Sequence, residues 1–88
     1  MRPYKPRRAP WNTPEGTPAF LDAEHGGTLE RLADARETDM IGTSTLVLEW
    51  GRNAIDDENA DLRFVAEQLA EALAAALAVA DLRGERLG

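Results

Sequence analysis

From residue 57 to 83, apolar residues recur every three or four positions. Stepping 100° per residue from Leu62 puts Val65, Ala66, Leu69, Leu73, Ala76, Leu77 and Ala80 within about 60° of one line. Neither Gly nor Pro interrupts the run before Gly84, a residue suited to a C′ position. The pattern predicts an amphipathic helix over 57–83, roughly 40 Å long at about 1.5 Å per residue. Leu62, Val65, Leu69, Leu73 and Leu77 form the stripe expected to meet partner protein. Each leucine contributes about 1.5–3 kcal/mol when buried. Phe64, Ala75, Val79 and Leu82 fall on the far side, so Phe64 and Leu82 predict a second contact surface. The heptad register through Leu62, Leu69 and Ala76 ends on Arg83, which disfavours a coiled coil.

Upstream, Leu29, Leu32, Ala33, Arg36 and Met40 share a helical face, with Thr28 placed as N-cap. This predicts a helix over 29–38. Residues 41–55 read two ways. As a strand at 43–50, Ser44, Leu46, Leu48 and Trp50 face one side, and β-branched residues favour that reading. As a helix, Ile41, Leu48 and Ile55 form one stripe and Leu46, Val47, Trp50 and Ala54 the other, and the small residues Gly42, Ser44 and Gly51 let neighbours approach closely. The helix is the reading taken, because a single strand has no partner elsewhere in the chain. Asp56 and Asp57 stand where they can cap the last helix and complement its dipole.

All five prolines lie within the first 18 residues, MRPYKPRRAPWNTPEGTP. Proline fixes φ, removes a donor and biases the preceding residue toward extended backbone. The expectation is an extended arm over 1–18 and a small helical domain over 19–88. The fold class is mainly α: a helical hairpin with a long C-terminal amphipathic helix behind a Pro-rich arm. Tyr4, Arg7, Arg8 and Trp11 are the arm residues expected to pin it to a neighbouring subunit.

Charge sharpens this division. The net charge is −6, yet Arg2, Lys5, Arg7 and Arg8 against Glu15 make the arm +3. The remaining fifteen acids and six arginines make the body −9. An acidic body repels phosphate backbones, so nucleic acid is expected at the arm only. Nine arginines against one lysine, with 15 alanines, is a composition of high-GC coding, as in actinobacteria and their phages. At 88 residues a chain buries only about 60% of its unfolded surface, so a lone core is marginal and added buried area is expected from partners.

Candidate chemistry is sparse. Without cysteine there is no disulfide framework and no thiolate ligand. His25 is the sole histidine and Ser44 the sole serine, and no spacing links them into a catalytic set. Asp57-x-Asn59-x-Asp61 opens like a calcium loop, but Leu62 stands where a turn glycine is needed and Gln68 where a bidentate glutamate is needed. Capping is the better reading. Pro3-Tyr4-Lys5-Pro6-Arg7-Arg8 fits a groove-binding PxxPxR pattern, which arises readily in a basic Pro-rich segment. No run of 18 apolar residues occurs, and no apolar stretch follows the basic N-terminus as a secretory signal requires.

The sequence thus predicts a non-enzymatic assembly or interaction component, without cofactor or metal. It is expected to be cytoplasmic or built into a virion, and to bind itself, a larger protein, or both. A small phage virion or assembly protein fits. The alternative is a regulatory adaptor or antitoxin-like protein whose basic arm touches nucleic acid.

Overall fold

The computed structural model of the protein describes residues 6–22 and 27–87. The element order is β1 (Arg7–Asn12), β2 (Pro18–Leu21), α1 (Thr28–Ile55) and α2 (Leu62–Leu87). The two helices pack as an antiparallel hairpin. Glu37 meets Arg83 and Arg86, Ser44 meets Ala72, Trp50 meets Phe64 and Gly51 meets Leu69, so one helix ascends as the other descends. The chain is mainly α, as its periodicity predicts.

The helices separately predicted at 29–38 and 41–55 are one continuous α1. No proline falls between them, and Gly42 in a helix interior weakens it by only about 1 kcal/mol. The strand alternative at 43–50 is therefore set aside. Burial of Glu37 and Gly51 against α2, and of Ala33 against the strands, outweighs the β preference of Thr43, Thr45 and Val47. Thr45 Oγ1 donates to the Ile41 carbonyl at 2.9 Å, a bond that only a helical turn brings within reach.

Helix ends also differ from expectation. Gly27, not Thr28, is the N-cap of α1, and it makes no side-chain cap bond. The cap of α2 is Asp61, whose Oδ1 accepts the Phe64 N–H at 3.1 Å, so the helix starts at Leu62 rather than 57. Asp57 Oδ1 accepts the Asn59 N–H at 2.9 Å, an Asx turn within the connection. Those two bonds account for the Asp57-x-Asn59-x-Asp61 spacing. Gly84 lies inside α2, which continues to Leu87. Arg86, held by Glu37, keeps that last turn helical.

The arm is the main correction. Residues 7–21 form an antiparallel β-hairpin with register Arg7↔Leu21, Arg8↔Phe20 and Asn12↔Pro18, irregular between Arg8 and Asn12 where Pro10 sits. Thr13-Pro14-Glu15-Gly16-Thr17 closes it. The Gly16 N–H donates to the Thr13 carbonyl at 2.9 Å and Gly16 has φ 82°, the left-handed position of a three-residue hairpin loop. Pro10 at an irregularity and Pro18 at a strand start are the places a sheet tolerates proline. Ala9 and Leu21 bury against Ala33, with Trp11 and Ala19 packed alongside. The strands thus dock on the chain's own helices, at the end of the hairpin opposite the 56–61 connection.

Candidate interaction face

Two features dominate the helical hairpin: a charged knot at its open end and an apolar groove along one flank. The knot is built on Glu37, only 1% exposed. Arg86 donates to both its oxygens, at 2.8 and 3.0 Å, and Arg7 donates at 3.1 Å. Arg83 approaches at 3.5 Å. Arg7 also pairs with Asp34 at 2.8 Å. Arg8 grips Glu85 with two nitrogens, at 2.9 and 3.1 Å. One buried carboxylate thereby ties β1, α1 and α2 together. Burial pushes the Glu37 carboxyl up, but hydrogen bonds and charge from Arg86 and Arg7 prevail and hold it below the usual carboxylate range. Burial pulls Arg7 down, and its bonds to Asp34 and Glu37 more than offset this, so both partners stay charged.

The groove has a volume of about 260 Å³ and lies between Ile41, Thr45 and Leu48 of α1 and Leu69 and Leu73 of α2. Ser44, Ala72 and Ala76 complete it, and none of its lining residues is charged. Its two hydroxyls are already engaged. Ser44 donates to the Ala72 carbonyl at 2.8 Å, and Thr45 to Ile41. The groove therefore offers apolar contact and little else. Helical spacing carries the same face beyond the groove, to Ile55, Leu62 and Leu77. Leu73 is 60% exposed and Leu77 55%. The opposite flank is polar, with Arg36, Asp39, Gln68 and Glu71 around Met40 and Val47. There β1 borders Met40, Ala78 and Leu82.

The predicted stripe is thus divided. Val65 is buried in the hairpin, Leu69 lines the groove, and Leu62, Leu73 and Leu77 face outward. Leu82 is only 4% exposed, and Phe64 packs edge-on to Trp50 with centroids 6.0 Å apart. Of the far-side pair, Leu82 is therefore covered within the chain, while Phe64 keeps half its surface exposed beside Trp50. Arg7, Arg8 and Trp11 are engaged by their own helices and core. Tyr4 and His25 lie outside the described residues. Ser44 serves an interhelical bond. Sequence reasoning missed Glu37, which reads as one more helix acid. Of the three small residues expected to admit a close neighbour, Gly51 does so, since a Cβ there would stand 2.7 Å from Leu69 Cδ2, whereas Gly42 faces open space.

Among the described residues no group of three or more His, Cys, Asp or Glu is placed to hold a metal ion, and no helix is long and apolar enough to cross a membrane. Comparison with family models, with curated proteins and with solved structures gives no match.

Proposed function

We propose that this chain is a non-enzymatic interaction or assembly component whose working surface is the apolar flank of its helical hairpin. The observation that carries the reading is the groove between Leu48 and Leu73. It is uncharged, its hydroxyls are satisfied, and exposed leucines extend it at both ends. A contiguous apolar patch on so small a chain marks a protein contact. A small ligand would be better served by an enclosed pocket with free polar groups. The charged knot has a supporting role: it fixes the β-hairpin and the open helix ends, so the flank is presented on a braced scaffold. The β-hairpin stays on its own helices, so the reading includes no arm reaching over a neighbour. Nucleic-acid contact through Arg7 and Arg8 has less support, because Asp34, Glu37 and Glu85 already hold them. A small subunit of a virion or another multi-protein assembly is the setting that suits a chain with so thin a core.

Gentle fractionation of an extract of the source cells or particles tests the reading. The chain should travel in a species larger than its own 9.6 kDa. A variant carrying Leu73→Glu and Leu77→Glu should fall back to the mass of the free chain. A wild-type chain found alone at 9.6 kDa overturns the proposal.

A further inference from the structure

We infer that the apolar flank is an interface between two copies of this chain, which close face to face into a four-helix arrangement. The inference rests on the interaction reading above and names its partner. Surface area is the first argument. A compact monomer of 9.6 kDa exposes about 5,100 Å². This chain exposes 6925 Å², roughly 1,800 Å² more than that expectation. A stable interface removes about 800 Å² from each partner, so one such contact fits within the excess. The dimensions agree. The chain measures 60 × 25 × 23 Å with a radius of gyration of 16.5 Å, against about 12 Å for a compact domain of this length.

Composition of the flank is the second argument. A two-fold contact brings the same patch from both copies together, so any charge at its centre meets its like. No charged side chain lines this groove. The flank is therefore self-complementary in the only sense an uncharged surface can be. Two flat two-helix layers with one apolar side each satisfy both by stacking. The third argument is the core. Among the described residues of the helices, the buried apolar side chains are Ala33, Val65, Val79 and Leu82. That is a small core for two helices of 28 and 26 residues, and a second layer completes it.

Light scattering on the purified full-length chain across a range of concentrations reads the answer. The expected mass is twice 9.6 kDa. The Leu73→Glu, Leu77→Glu variant should halve it while circular dichroism stays helical. Leu46→Glu, on an exposed position away from the groove, should leave it doubled. The chain has no cysteine, so single thiols at Leu48→Cys and Leu73→Cys give a second readout that does not depend on the double variant folding. Bismaleimides should link these into pairs and should not link Leu46→Cys. A wild-type monomer at every concentration overturns the inference, as does the absence of linking at both groove positions. A monomer in the purified state with a large species in the extract would sink this inference alone. A lone chain in both would sink the interaction reading with it.

Discussion

Glu37 is where three elements converge, and its surroundings set what its loss does. Arg7 from β1, Arg83 and Arg86 from α2, and Asp34 one turn away on α1 all face or flank it. Glu37→Gln leaves the guanidiniums around a neutral amide. Removing one partner of a buried pair costs about 3–5 kcal/mol, and the partial exposure of Arg83 and Arg86 places this case near the lower figure. Urea unfolding at neutral pH should show that loss. Its pH dependence follows from the direction of the shift. The folded-state pKa lies below the ordinary 4.5, so the stabilisation is fully present above that value and lost as pH falls through the folded pKa. The gap between wild type and Glu37→Gln should therefore close under acid, and a gap unchanged at low pH would contradict the charge argument. Gly51 is the second such residue. A Cβ there meets Leu69 Cδ2 at 2.7 Å and Cγ at 3.1 Å. Overpacking costs about 1–3 kcal/mol, and replacing a helix glycine by alanine returns about 1 kcal/mol. Gly51→Ala should thus destabilise by about 1 kcal/mol, yet stabilise by about 1 kcal/mol in a Leu69→Ala background. Equal effects in the two backgrounds, read by thermal melts, would refute the contact. Gly51 was legible as a small residue admitting a close neighbour, but Glu37 was not. Glu37 and Arg86 are 49 positions apart, and helical periodicity carries no information about which acid lies under which arginine.

At the scale of elements, the long α2 was legible and its inner face was not. Alanine and leucine spread around most of its circumference, so the apolar moment points only weakly. The buried line takes Val65 from the edge of the stripe centred on Leu62 and Val79 and Leu82 from the far side. The fold chose a line that hydropathy alone does not rank. At the N-terminus the failure is different. Five prolines argued against a strand, yet Thr13-Pro14-Glu15-Gly16-Thr17 carries the residues of a hairpin loop, with proline at the first turn position and glycine at the left-handed one. The turn signal is present, but proline content alone reads as an unpaired extended segment. Gly16 supplies the test. With φ 82° and open space around its Cα, a side chain there meets backbone strain alone. Gly16→Ala should cost about 1–2 kcal/mol. Because β1 carries Arg7 into the knot, the loss should appear in the global unfolding transition. If instead only the strand amides exchange faster, with global stability unchanged, the hairpin is an appendage rather than a brace.

For the whole molecule, the thin core and the extended shape bear on one quantity, stability against concentration. A chain that completes its core by pairing is stabilised by mass action, so its unfolding free energy rises by about 1.4 kcal/mol per dimer for each tenfold rise in concentration. For a folded unit of two such chains that corresponds to a melting temperature higher by roughly 3–6 °C. The Leu73→Glu, Leu77→Glu variant should melt lower and show no concentration dependence. The charged knot should be indifferent to concentration, because every group in it belongs to one chain. Glu37→Gln should consequently lower the whole melting curve and leave its slope against concentration intact, whereas the groove variant should flatten the slope. The two variants separate the forces that hold one hairpin together from those that join it to a second. A Glu37→Gln chain that lost the concentration slope would mean that the brace and the interface are one cooperative structure.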